Sequence, residues 1–244
     1  MKPNLFRCIL PFFALASALS AQTFQSGPAT TALIELYTSE GCSSCPPAEH
    51  WLGELKTDKG LWTKFVPVAF HITYWDDLGW PDPYANPAFT QRQRGYAAAW
   101  NSSNVYTPEF IYQGREWRIG NVTPATGRPG LLIVHLNPDG SGTVKFTPDG
   151  PSSAKSYETS VALLGADMLV KVRAGENAGR TLSHDFVALH IVSLHLARSA
   201  DGGFGTSFLA PPEKLPKAGR HALATWVSIS GDLAPLQATG GWID

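Results

Sequence analysis

Apolar positions along the chain follow two textures that change near residue 130. In the first, residues 31–38 are apolar on both faces except at Glu35, and residues 65–72 form a second such run. Unbroken apolar runs of this length fit strands buried on both faces of a sheet. Between them Trp51, Leu52 and Leu55 recur at helical spacing and predict a helix to about Lys56. Asn86 before Pro87 has the form of an N-cap followed by proline in the first turn. It opens a predicted helix with Phe89, Tyr96 and Trp100 on one side, ended by Asn101. Residues 109–112 and 116–119, with a turn at Gly114, read as short strands, so the order is βαβαββ. Residues 22–30 are small and polar and read as a tether, and residues 74–87 as a loop dense in Trp, Asp, Gly and Pro.

Past residue 130 no helical period competes with strand-like runs. Residues 131–136 and 143–146 flank Asn137-Pro138-Asp139-Gly140, a hairpin turn. Further runs at 157–164, 168–172, 186–196 and 223–229 predict an antiparallel β module. No internal repeat of solenoid period is present.

With 43% apolar and 16% charged residues, the chain of 244 residues can bury a sizeable core, which excludes a disordered chain. A formal net charge of −1 offers no basic surface for nucleic acid. The N-terminus has the pattern of a secretory signal: Lys2 and Arg7, an apolar stretch from Ile9 to Ala16, then the small residues Ala18, Ser20 and Ala21. That stretch is short of the ~20 residues that span a bilayer. Cleavage near Ser20 or Ala21, giving a signal peptide over 1–21, is expected to export the protein to the periplasm or outside the cell, with no membrane insertion afterwards. It lowers Lys and Arg from 19 to 17 against 20 Asp and Glu, for a net charge of −3. It also removes Cys8, leaving Cys42 and Cys45 as the only cysteines.

Two cysteines three positions apart close a loop too small to restrict the unfolded chain much, so a disulfide there makes more sense as chemistry than as a staple. The pair lies between a buried strand and a helix. Cys42 is the expected nucleophile and Cys45 the resolving thiol that releases the partner from a mixed disulfide. Pro46 and Pro47 are tolerated only in a first turn, which puts the helix start near Cys45 and Cys42 on the turn before it. Glu40 opposes a thiolate if it lies nearby. Two other readings stay open: a soft-metal carrier of Cu or Zn using the same thiols, completed by His50 or His71, and a non-catalytic module whose β half meets a partner.

The string from Glu35 through Gly41-Cys42-Ser43-Ser44-Cys45-Pro46-Pro47-Ala48 resembles an uncharacterised family of exported bacterial thioredoxin-like proteins, known as a domain of unknown function. His71, Tyr74-Trp75-Asp76, Leu78-Gly79-Trp80, Asp82-Pro83, Arg92-Gln93, Val105-Tyr106-Thr107-Pro108 and the late block Gly175-Glu176-Asn177-Ala178-Gly179-Arg180-Thr181-Leu182 extend the likeness. The resemblance implies an α/β fold: a thioredoxin-like core over 22–130 and a C-terminal antiparallel β subdomain over 131–244. It implies no substrate; the cysteine pair itself is the ground for expecting thiol–disulfide exchange with protein thiols or disulfides and a redox partner protein, with no cofactor. It also implies that Pro108 is the proline held cis beside the cysteines, with Thr107 in the loop that meets substrate, and that Glu35 stands near the place of a buried acid serving the second cysteine.

The remaining candidates follow from position. Glu35 in an apolar strand must be paired or raised in pKa. His71 ends the second strand, where α/β ligands commonly sit, and is a candidate for steadying the Cys42 thiolate. Trp75 and Trp80 are candidates for a peptide groove, with Tyr74 beside them. His184 and His190 share a strand face and His195 does not, so no metal set is assigned to them. The 176–180 segment reads as a turn, on Asn177 and Gly179.

Overall fold

The computed structural model describes residues 20–120, 122–150, 154–212 and 214–243; most of the expected signal peptide, including Cys8, lies outside them. The expected tether contains a strand, β1 (Gln22–Gln25). The two apolar runs form β2 (Ala32–Thr38), then, after the helix α1 (Pro46–Glu54), β3 (Phe65–His71). Every residue of β2 and β3 is buried, and they pair in parallel from Ala32–Phe65 to Thr38–His71. Parallel neighbours need a crossover, which α1 supplies. The second helix, α2 (Pro87–Ala99), starts where its cap signal stands: Asn86 Oδ1 accepts the N–H of Ala88 at 2.9 Å. Asn101, at φ 55°, turns the chain out of it. Next come β4 (Glu109–Tyr112), antiparallel to β2, and β5 (Arg115–Trp117), antiparallel to β4.

In the second half every regular element among the described residues is a strand: β6 (Gly130–Leu136), β7 (Gly142–Pro148), β8 (Tyr157–Ala166), β9 (Met168–Lys171), β10 (Thr181–His184), β11 (Val187–Arg198), β12 (Phe204–Phe208), β13 (Arg220–Ile229) and β14 (Pro235–Ile243). The Asn137–Gly140 turn joins β6 to β7 as expected, with Gly140 at φ 83°.

These strands overturn the expected fold class. The protein is not an α/β thioredoxin-like core carrying a β subdomain; among the described residues it is mostly β, with two α-helices and a mixed twelve-stranded sheet. Nine strands run in the order β1-β6-β7-β12-β11-β3-β2-β4-β5, while β8, β13 and β14 branch from β11. Only β9 and β10 form a separate ribbon. The join is at β3, whose Ala69 pairs with Val187 of β11 and donates its N–H to Phe186 O at 2.8 Å. β13 and β14 then fold back over β2 and β3. Trp226, 1% exposed, meets Phe70 edge-on and takes the Arg92 guanidinium 5.2 Å above its ring. One apolar core therefore holds Leu33 and Phe70 together with Phe186 and Trp226, and a second lies between β6, β7, β8 and β12 around Phe146 and Tyr157.

Candidate functional site around the Cys42–Cys45 disulfide

Cys42 and Cys45 form a disulfide whose Cα atoms are 5.4 Å apart. Cys45 is the N-cap of α1 and Pro46 its first residue, the helix start that the proline pair requires. The carbonyl of Cys45 accepts the N–H groups of Ala48 and Glu49 at 2.9 and 3.1 Å. The lead-in is a tight turn: Cys42 N–H donates to Ser39 O at 3.1 Å and Gly41 N–H to Ser39 Oγ at 3.1 Å. Both cysteines are buried, whereas Ser43 and Ser44 between them are exposed. Ser44 Oγ stands 3.4 Å from Cys42 Sγ.

Trp75 links this turn to the Thr107–Pro108 segment, whose peptide bond is cis. A side-chain carbon at Gly41 would sit 3.2 Å from Trp75 Cβ, so glycine is what lets the turn lie against it. The Trp75 indole N–H donates to Thr107 Oγ1 at 2.8 Å. Trp80 donates to Glu40 Oε2 at 2.6 Å and so anchors the acid.

The 175–180 turn straps the cysteine loop. Asn177, fully buried, donates from Nδ2 to the carbonyls of Glu40 at 2.8 Å and Cys42 at 3.0 Å. Its Oδ1 accepts from Arg180 at 2.7 Å, and Glu176 Oε2 accepts the N–H of Ser43 at 3.1 Å. The segment is a turn, as its Asn and Gly suggest, with Ala178 N–H bonded to Gly175 O. Its role as a clamp was not legible locally, because the partner carbonyls are 135 and 137 residues away.

Behind the turn lies a buried cluster of Glu40, Glu49, His71, Asp82 and His184. Asp82 Oδ2 faces His71 Nδ1 at 2.7 Å and accepts the N–H of Glu40 at 2.8 Å, and Oδ1 accepts the N–H of Tyr84 at 2.9 Å. Burial works against the Asp82 charge, but His71 and these backbone donors hold its carboxyl below the ordinary value. As an ionised acceptor, Asp82 requires Nδ1 to carry the His71 proton. His184 lies between Glu49 (3.0 Å from Nδ1) and Glu40 (3.3 Å from Nε2). Burial disfavours its charge, yet the two carboxylates outweigh this and push it up to about 10. Glu49, one turn into α1, accepts from Thr38 Oγ1 at 2.5 Å; burial raises its carboxyl, and His184 and Thr38 more than reverse that. Glu40 thus sits in the counter-charge of His184 and the bond from Trp80.

Glu35 belongs to a different group, on the α2 face. Arg92 donates to both its oxygens at 2.7 and 3.0 Å, and Tyr96 and Tyr37 donate at 2.6 and 2.9 Å. It is paired, one of the two states its burial demanded. The structure brings His71 together with His184, which sequence spacing had grouped with His190. His190 instead lines an apolar cavity of about 770 Å³ with Leu136, Val161, Phe208 and Leu223, and His195 is exposed beside Glu158. No residue of the cysteine site lines that cavity.

Fold and site together define a mostly β protein with a disulfide at a helix start, strapped by a distant turn over a buried acid–histidine cluster. The chain belongs to the DUF1223 family of proteins of unknown function, whose sequence profile matches residues 33–228. No curated protein matches it. Among solved structures, it is similar to HBP35 of Porphyromonas gingivalis, with a TM-score of 0.62 and 15% identity, covering 90% of this chain and 77% of that one. It is also similar to protein AGR_C_4864 from Agrobacterium tumefaciens, with a TM-score of 0.54 and 21% identity, covering 88% of this chain and 94% of that one. At these identities the likeness is one of fold.

Proposed function

We propose that the protein is an exported thiol–disulfide oxidoreductase acting on protein thiols through Cys42 and Cys45. The observation that carries this reading is the disulfide's setting. It closes a loop too small to stabilise the fold much, at a helix start, with Ser44 Oγ 3.4 Å from Cys42 Sγ. Pro46 and Pro47 remove two N–H donors that a helix start ordinarily offers a thiolate, leaving the Ser44 hydroxyl as the donor beside Cys42.

In the exchange, a substrate thiolate attacks Cys42 Sγ, the Cys42–Cys45 bond breaks and Cys45 leaves as a thiolate. A second substrate thiolate then attacks the substrate sulfur of the mixed disulfide and releases Cys42. The substrate dithiol loses two electrons and two protons, and the cysteine pair gains them; a redox partner protein restores the pair by the reverse steps. Because both cysteines are buried, attack requires a local opening of the turn, and the Glu176–Asn177 strap, which holds the turn's backbone, is the segment expected to draw back. The Thr107–Pro108 segment, held by Trp75, is the surface assigned to the substrate chain. The signal pattern of residues 1–21 supports export, where the partners are other exported proteins.

Alkylation of the reduced protein tests the reading. Cys42 is expected to react first, Cys42→Ser to abolish exchange with a model dithiol, and Cys45→Ser, whose Cys42 is a free thiol, to accumulate a mixed disulfide when offered a model disulfide, whose other sulfur leaves as a thiolate. Full exchange by Cys42→Ser would overturn the assignment.

A further inference from the structure

Glu49, His71 and His184 come from α1, β3 and β10 and meet behind the disulfide. One donor atom from each lies within 4.8 Å of the others, and all three residues are buried. We propose that these three residues bind a zinc-class divalent cation, a site separate from the cysteines and independent of the redox reading.

The neighbouring Asp82, Glu40 and Thr38 hold these side chains in place for an ion. Asp82 Oδ2 engages His71 Nδ1, which leaves Nε2 as the ring nitrogen available to a ligand, and Nε2 is buried with no hydrogen-bond partner among the described residues. Glu40 faces His184 Nε2 at 3.3 Å and is itself held by Trp80, which leaves Nδ1 toward Glu49. Thr38 occupies Glu49 Oε1, which leaves Oε2 toward His184 at 3.0 Å. Each ligand thus turns one donor atom toward the other two while its second atom is held from outside the trio, the arrangement in which carboxylates orient metal-binding imidazoles. A tetrahedral zinc with bonds of about 2.0–2.1 Å sets its ligand atoms roughly 3.3 Å apart, so the Glu49–His184 pair already stands near that spacing. The three side chains also border one void, too small for a water molecule, together with Leu52 and Ala69, so an ion there would have to draw its ligands around itself.

The donor chemistry selects the ion. Two imidazoles and one carboxylate suit zinc-class cations, whereas calcium and magnesium prefer all-oxygen shells and Cu(I) prefers sulfur. A dication also offsets the charge that Glu40, Glu49 and Asp82 bring together in the interior. An ion-paired cluster alone accounts for His184 but gives His71 Nε2 nothing to bind.

The test uses the full chain, stripped with a chelator and reloaded with zinc sulfate. One equivalent per chain should survive gel filtration, and a Cys42→Ser/Cys45→Ser double variant should retain it. Asp82→Asn should weaken zinc binding about 10–100-fold. Should Asp82→Asn fail to fold, X-ray absorption at the zinc edge of the native protein decides: an all nitrogen and oxygen shell with imidazole scattering is expected. Absence of stoichiometric zinc in the native chain, a sulfur in its shell, or loss in the double-serine variant would overturn the proposal.

Discussion

The side-chain amide of Asn177 donates to the carbonyl of Cys42 at 3.0 Å, fastening the reactive turn to a segment 135 residues further along the chain. The same nitrogen holds the carbonyl of Glu40, so removing it leaves two buried acceptors without this donor. Asn177→Ala is expected to cost about 1–3 kcal/mol of stability and to speed reduction of the disulfide by dithiothreitol. Denaturant melts and reduction kinetics measure the two effects. Unchanged reduction in a destabilised variant would show that the strap does not limit access.

Ser44 has a separate consequence for the reduced state. A hydroxyl bonded to a thiolate favours the charged form. Ser44→Ala is therefore expected to raise the Cys42 thiol pKa by roughly one unit, given about 1.5 kcal/mol for a hydrogen bond to a charged group. The pH profile of iodoacetamide alkylation reports this, and an unmoved profile removes Ser44 from the mechanism.

Arg92 and Glu35 form a pair buried beneath α2, with side-chain exposures of 12% and 1%. Arg92 also lies over the rings of Tyr96 and Trp226. Arg92→Met strands the carboxylate, and a loss of about 3–5 kcal/mol is expected, read as a lowered urea midpoint. Exchange at Cys42 should persist in whatever fraction stays folded, because Glu35 is bonded on the α2 side. A specific loss of exchange in the folded variant would instead support Glu35 as a group serving Cys45.

Glu109 sets a pH dependence. Burial, aided by the charges of Glu116 and Glu35 and opposed by the bond from Gln93, pushes its carboxyl from 4.5 up to about 7. The folded state then holds this proton more tightly than the unfolded chain. The associated stability is present in full below 4.5 and is lost as pH rises through about 7. Urea midpoints of the native protein and of Glu109→Gln should diverge across that window, the variant gaining relative stability at the higher pH. Parallel curves would contradict the assignment.

Much of the local structure was legible. The buried runs of β2 and β3, the proline-marked start of α1, the Asn86 cap of α2 and the Asn137–Gly140 hairpin all depend on interactions within a few residues. Other elements were not legible, because their strand character comes from distant partners. β1 is short and mostly polar and is a strand only beside β6. β14 carries Gly240 and Gly241, which read as breakers, yet added carbons there would lie 2.9 Å from the Trp62 ring and 2.5 Å from the Phe24 ring. Glycine is what admits those two rings.

Short-range interactions along the chain are enough to specify the pieces and one chemical group: a cysteine pair at a helix start, whose spacing along the backbone guarantees proximity. The fold class and the rest of the site depend on contacts between segments far apart in the chain. Apolar patterning shows that β3 is buried but not which strand covers its edge, and pairing with β11 turned an expected two-part α/β protein into one largely β sheet. Likewise His71, His184, Glu49 and Asn177 carry no local signal of one another. Their meeting is set by strand register and crossover packing, which depend on the summed burial of the whole chain rather than on any short segment.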